Sequence, residues 1–313
     1  MNLLFYSFCY RGFMKIIAMC LVKNEVDILS VVIEDALKWA DYIIIADHMS
    51  TDGTWELIQN KIRFFEKVKV YGQINEPFSD GIRAKLYNEF KHLANKGDWW
   101  CRLDADEIYI DNPRDFLSKI PSFFNIVRGA KFQYYFTDKD LALYNDDPEK
   151  YENGNCVSNL KYYVCNESET RFFRHFDKKW DITNLWPDAA WPHLIYPLHI
   201  RIKHFQYRYP AQIQQRIDIR SEVRKTSNTF THEVRANWNS RVANNMKINQ
   251  NNEGLIYEQS WKDRIVPSEK LFLQDDNYEI TLDLMPSKIN HPVKQIIRNT
   301  ILILLGRKNI STR

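Results

Sequence analysis

"WWCRLDADEIYI", residues 99–110, runs from aromatic and apolar side chains straight into three acids, Asp104, Asp106 and Glu107. Buried strands do not ordinarily finish in crowded like charges, which repel one another and lose hydration. In extended backbone, residues two apart point the same way, so Asp104 and Asp106 can face one point. Two carboxylates at a strand end suit a hard divalent cation, Mg²⁺ or Mn²⁺, with substrate phosphate oxygens completing its shell. The competing reading is an acidic turn or a helix cap, because a bare Asp-x-Asp arises by chance in many chains.

The sequence before this stretch alternates strand and helix signals. "KIIAMCLV" (15–22) is a continuous apolar run, as expected of a strand buried on both faces. Leu29, Val32, Ile33, Ala36, Leu37 and Ala40 then share a helical face. "YIIIAD" (42–47) is a second buried strand, "STDGT" caps a helix with Trp55, Ile58, Ile62 and Phe65 on one side, and "VKVYG" (68–72) is a third strand. A helix over 80–96 stops at Gly97, "WWCRLD" (99–104) is the fourth strand, and Asn112-Pro113 opens a further helix. This order predicts an α/β fold, its central sheet mostly parallel and flanked by helices. Such sheets bind ligands beyond the carboxyl ends of their strands. Polar residues collect at three of those ends: Asn24-Glu25, Asp47-His48 and Asp104-Ala105-Asp106.

Beyond residue 125 the pattern loosens. "AKFQYYFTD" (130–138), "SNLKYYV" (158–164) and "TRFFRHF" (170–176) read as antiparallel or mixed strands added to the sheet. Residues 180–197, rich in Trp and Pro, read as turns, and "PAQIQQRIDIRSEVRK" (210–225) as a charged helix.

"CLVKNEVDIL" (20–29), "IIIADHMSTDGTWELI" (43–58) and "WWCRLDADEIYI" together resemble, in order and spacing, the inverting family 2 glycosyltransferases, whose catalytic domain has the GT-A fold. The resemblance covers residues 14–120 and extends more loosely to about 225. It implies that Asp47 lies at the nucleotide base and ribose, with Asn24, Glu25, His48 and Asp52 around the same pocket. His48 stands where many members carry an acid or an amide, which leaves the base open among uracil, guanine and thymine. Arg83, Lys85 and Asn88 sit where members place polar residues near the donor, although a solvated helix face also explains Lys85. Asp104 and Asp106 would be the Asp-x-Asp motif, with Asp106 most directly on the metal.

"IKHFQYRYPAQIQQRI" (202–217) resembles a piece that follows the core in some bacterial members. It nominates His204 for the metal or diphosphate site, with His199 competing, and Tyr207-Arg208 as a phosphate contact. Inverting transfer also needs a base on the acceptor side. Asp188 in "NLWPDAAW" is the first choice and Asp181 the next, with Trp180, Trp186 and Trp191 as a cluster able to stack on sugar rings. What the resemblance implies is a metal-dependent hexosyltransferase using Mn²⁺ or Mg²⁺. It would move a sugar from a nucleotide-diphosphate donor, UDP-sugars favoured, to a saccharide or lipid-linked acceptor in bacterial surface polysaccharide or lipopolysaccharide synthesis.

Composition is compatible. The chain has 313 residues, 44% hydrophobic, enough for one large core, and a formal net charge of only +3, which argues against a nucleic-acid binder. The five cysteines are scattered without zinc or disulfide spacing, and the simplest compartment is a reducing cytoplasm. "LVKNEVDIL" lacks the glycines of a nucleotidyltransferase loop, a P-loop or a dinucleotide fold. A non-catalytic carbohydrate- or nucleotide-binding protein is the alternative, but it has no need of acids at three strand ends.

Three segments are expected: an extension over 1–13, with Met14 as an alternative start; a GT-A domain over 14–225; and a helical extension over 226–313. In the last, "VKQIIRNTILILLGRK" is too short to cross a bilayer, which takes about 20 residues, but its basic flanks suit peripheral contact with the inner face of the plasma membrane. A terminal helix docked on the protein is the plainer reading.

Overall fold

A computed structural model describes residues 14–184, 186–187, 193–226, 237–238, 271–278, 280 and 292–304. The fold is mixed α/β. Strands β1 (Ile16–Val22), β2 (Tyr42–Asp47), β3 (Val68–Gln73) and β4 (Trp99–Asp104) pair in parallel in the order β3-β2-β1-β4. Helices α1 (Leu29–Ala36), α2 (Thr54–Asn60) and α3 (Arg83–Phe90) make the crossovers. β1 is buried along its whole length because both of its faces are covered. Ile16, Ala18, Cys20 and Val22 pack with α1 and α2 residues such as Val32 and Ile58, whereas Ile17, Met19 and Leu21 pack with Ala84, Leu86 and Tyr87 of α3. The strand period of two thus feeds two separate cores.

β4 continues through Ala105 and Asp106 into β5 (Glu107–Tyr109), and Asn112 caps α4 (Pro113–Ser118) by accepting from the Arg114 and Asp115 amides. Next come β6 (Ile126–Tyr134), α5 (Asp138–Asp146), the short α6 (Cys156–Asn159), β7 (Tyr162–Arg174), β8 (Ile200–His204) and α7 (Pro210–Thr226). The two strand signals expected at 158–164 and 170–176 merge into the single β7, and residues 158–159 end α6 instead. β8 was not signalled: its alternating "IRIKH" is too short for the pattern to speak alone. The segment expected to be a helical extension also returns a strand, β9 (Phe272–Leu273), which pairs with β7, before α8 (Pro292–Leu304).

The sheet continues β4-β7-β6-β8-β5, with antiparallel pairing at β4/β7, β7/β6 and β8/β5 and parallel pairing at β6/β8. β4 and β5 therefore stand four strand spacings apart in the ladder, about 19 Å on a flat sheet. Yet Asp104 and Glu107 are three residues apart in sequence, a reach of about 11 Å at most. The sheet has to curl back on itself, and the acidic turn is what bridges the gap. Gly129 on β6 leaves room for two neighbouring side chains: a Cβ there would lie 2.4 Å from Ile202 Cδ1 and 3.0 Å from Arg171 Cγ.

Candidate functional site

A cleft of about 550 Å³ opens at the carboxyl ends of the parallel strands. The residues after β1 (Lys23, Asn24, Glu25), His48 after β2 and Asp104-Ala105-Asp106 after β4 all line it. α7 closes the other side with Gln212, Gln215, Arg216, Ile219, Arg220 and Val223, spaced to share one helical face.

Asp106 and His204 meet because β5 and β8 are neighbours in register, with Glu107 opposite His204. Asp106 Oδ2 lies 3.2 Å from His204 Nε2 and 3.2 Å from Arg216 Nη2. The imidazole is oriented by Gln133, its register partner on β6, whose Oε1 is 2.6 Å from Nδ1. Gln133 Nε2 in turn donates to Glu167 Oε2 at 2.9 Å. A carboxylate only accepts, so the amide must present Oε1 to His204 and Nδ1 carries the proton. Nε2 then faces Asp106: protonated, it pairs with the carboxylate directly, and unprotonated, it and the carboxylate suit a shared cation.

Asp106 Oδ2 is buried and accepts no hydrogen bond among the described residues. Burial opposes its ionisation, but His204, Arg216 and Arg208 outweigh burial and hold its carboxyl well below the ordinary value of 3.8. Among the described residues no three His, Cys, Asp or Glu side chains form a metal-holding group. Asp106 and His204 could offer two ligands, as many as a Mg²⁺ or Mn²⁺ site needs from protein when water and phosphate take its other positions.

Asp104 is committed differently. Its Oδ1 accepts from Arg83 at 2.6 Å and lies 3.4 Å from Arg102 Nε, and its Oδ2 accepts from Arg171 at 3.2 Å. Burial pushes its carboxyl up, but Arg102, Arg171, Arg83 and Lys131 together bring it far below its ordinary value. Arg171, fully buried on β7, also pairs with Glu107, and with Glu169 at 3.0 Å. Asp104 thus organises a group of cations around the turn rather than presenting bare oxygens.

The other residues singled out in the sequence take the following places. Asn24 adopts a left-handed φ of 55°, which Asn tolerates, and its Oδ1 accepts from the Thr51 amide at 2.8 Å. Glu25 is held by Arg208 at 2.6 Å and Arg216 at 2.8 Å. Arg208 is fully buried and also grips Asp27 through two bonds of 2.7 Å, so it anchors the turn after β1 instead of facing the cleft. Its neighbour Tyr207 is buried in the core.

His48 Nε2 lies 2.7 Å from the Glu76 carbonyl and its ring stands edge-on to Phe78. Asp47 is buried and outside the cleft wall: Oδ2 accepts from the Ser50 amide and Gln73, and Oδ1 has no hydrogen-bond partner among the described residues. Asp52 braces the start of α2, accepting from the Thr54 amide and hydroxyl, beside Gly53 at φ 98°. Arg83 lines the cleft, whereas Lys85 pairs with Glu76 at its edge. Asn88 binds the backbone of Trp180 on the outer side of α3. Trp186 packs edge-on to Phe173 in the core and Asp181 braces an exposed turn by accepting from Thr183, so neither reaches the cleft. Asp188 and Trp191 lie outside the described residues. His199 is away from the cleft, and burial lowers its imidazole to about 4.

No protein-family model matches the chain, and no curated protein matches it. One similar solved structure is a mannosyltransferase. That structure, PcManGT from Pyrobaculum calidifontis in complex with GDP-Man and Mn²⁺, shares 11% identity over 67% of this chain and 62% of its own, with a TM-score of 0.38. GalNAc-T7 with UDP, GalNAc and Mn²⁺ shares 13% identity over 63% of this chain and 45% of its own, at a TM-score of 0.40. TarS from S. aureus shares 12% over 67% and 39%, at 0.34. This chain therefore spans under two thirds of each, and at such identities the likeness concerns fold alone.

Sequence reading missed Lys131, Gln133, Glu167, Glu169, Arg171, Arg216 and Arg220. A signal was present. Lys131/Gln133 on β6 and Glu167/Glu169/Arg171 on β7 repeat at the strand period, placing charge on an inward face.

Proposed function

We propose that the chain is a glycosyltransferase that takes its sugar from a nucleotide-diphosphate donor and works with inversion, as a hexosyltransferase of the family 2 type. The observation that carries this reading is the meeting of Asp106 and His204 at the carboxyl ends of the parallel strands, in a cleft whose cations suit a diphosphate. Asp106 and His204 would hold Mn²⁺ or Mg²⁺, which supplies neutralisation of the charge developing on the leaving diphosphate. Arg83, Arg102, Lys131 and Arg216 line the same wall and would take the phosphate oxygens. Asn24, Glu25 and His48 would border the nucleotide, with Asp47 and Asp52 holding the two turns that carry them. The acceptor is proposed to be a saccharide or lipid-linked glycan on its way to a bacterial surface polysaccharide, assembled on the cytoplasmic side.

The test is calorimetric titration of UDP, GDP, TDP and CMP, with and without Mn²⁺, into wild type and Asp106→Ala. UDP and GDP are the nucleotides of two of the similar structures. One diphosphate is expected to bind with metal present and to lose at least tenfold in affinity in the variant. Binding that ignores both metal and Asp106, or none at all, would leave the non-catalytic reading in front.

The base can be located by substitution. Asp181 braces an exposed turn, so Asp181→Asn should keep wild-type turnover. Glu167 lines the cleft, bonds to Gln133 and has Lys131 at 3.9 Å, so it is a second candidate for the base. Turnover lost in Glu167→Gln but kept in Asp188→Asn assigns the base to Glu167; the reverse pattern assigns it to Asp188.

A further inference from the structure

α8 docks on the protein through Gln295 and Asn299. They stand one turn apart and are the buried ones among the helix residues whose side chains are described, and Gln295 joins the backbone of Ile195 by accepting from its N–H at 2.9 Å and donating to its carbonyl at 3.2 Å. Val293, Ile297, Ile301 and Leu304 lie about 180° round the helix from that pair at 100° per residue. They are 55%, 54%, 49% and 79% exposed. A helix that only needed to complete the fold would turn this stripe toward the core.

The charge around it supplies the second observation. Residues 284–313 hold Lys288, Lys294, Arg298, Arg307, Lys308 and Arg313 and no acid, and Lys294 and Arg298 are exposed along one flank of the apolar stripe. An apolar stripe edged by cations complements a surface that is apolar below and anionic above. With 13 residues the helix is about 20 Å long, too short to span a bilayer but long enough to lie in one face.

We propose that α8 seats the protein on an anionic lipid bilayer. Its docking point fixes what stays free. Ile195, Ile126, Phe173 and Trp100 form one row across the sheet, near the start of β4. Asp104 lies four residues further along, about 13 Å away at the opposite end. A protein held through α8 keeps the mouth of its cleft off the lipid.

The experiment is co-sedimentation of the full chain with vesicles of neutral phosphatidylcholine and of phosphatidylcholine with 30% phosphatidylglycerol. Binding to the anionic vesicles is expected to weaken with salt and to fall at least tenfold in Ile297→Asp/Ile301→Asp. Lys294→Gln and Arg298→Gln should each weaken it roughly fivefold, the worth of one cation near such a surface. Far-UV circular dichroism should be unchanged in every variant, because all four side chains are exposed. Equal affinity for neutral vesicles, no vesicle binding, or full binding by the Ile297/Ile301 variant would each overturn the proposal. So would a wild-type dimer that the same variant converts to monomer, which would make a second copy the occupant. No nucleotide enters the assay, so its result stands apart from that of the nucleotide titration.

Discussion

Arg171→Ala is expected to destabilise the protein by about 3–5 kcal/mol, the usual cost of stranding one member of a buried ion pair. Arg171 and Glu107 are both fully buried at their charged ends, and Arg171 also steadies Asp104 and Glu169. Glu107 has little in reserve. Its Oε2 has no hydrogen-bond partner among the described residues, and its nearest other cation, Lys131, is 3.7 Å away. The dependence on pH identifies the cause. Burial raises the Glu107 carboxyl above its ordinary value of 4.5, with Arg171 the main opposing influence. An acid raised on folding binds its proton more tightly in the folded state, so its contribution is present at low pH and is lost as pH rises through the folded value. Without Arg171 that value climbs further, so the deficit relative to wild type should be larger at pH 8 than at pH 5. Denaturant unfolding at the two pH values measures it. A deficit that is the same at both would mean lost packing around the guanidinium stem, not a stranded charge. Arg171→Lys keeps the charge and should lose less.

Asp106→Asn should cost about 10²–10³-fold in turnover, the usual scale for losing one electrostatic contact to the charge that develops in the transition state. The substitution keeps shape and removes charge, leaving His204 and Arg216 without their shared anion. Gln133→Leu separates orientation from ligation. Gln133 does not line the cleft or contact Asp106, but it fixes the His204 ring through Nδ1 and donates to Glu167. Losing such a partner typically weakens metal affinity 10–100-fold. Turnover in Gln133→Leu should therefore recover at high Mn²⁺, while Asp106→Asn should not. If excess Mn²⁺ rescues both or neither, His204 and Asp106 do not act as a pair on one cation.

The parallel half of the fold was legible because its signals are local. β1 and β2 are apolar throughout, and each strand end carries polar residues that a buried strand would not tolerate. The expected boundaries of β1, β2 and β4 fall within a residue of the observed ones. The helix expected over 80–96 is broken into one α-helical and two 3₁₀ segments, since packing against residues 176–184 governs it more than propensity does. Of the site, Asp104, Asp106 and His204 were legible from the resemblance, and the structure gathers them at one cleft. Their partners were not. Arg83 and Arg171 reach Asp104 from different strands and helices, and Arg208 looked in sequence like a ligand contact when its buried position makes it the anchor for Glu25 and Asp27. The strand period marks the face that such charges share but not the partner each one meets. That partner is set by register, and register is settled only when distant strands meet.

The curl of the sheet has a consequence for how the protein is made. β5 has no partner until β8 arrives, and Glu25 must wait for Arg216, 191 positions later. A ribosome releasing this chain from its N-terminus produces Glu25, Asp106 and Glu107 long before Arg171, His204, Arg208 and Arg216, so the partly built molecule carries unpaired carboxylates and an open strand edge. Assembly of the cleft must therefore await β8 and α7. Lesions in β8 or α7 should betray themselves first as poor yield of native protein and only afterwards as poor catalysis.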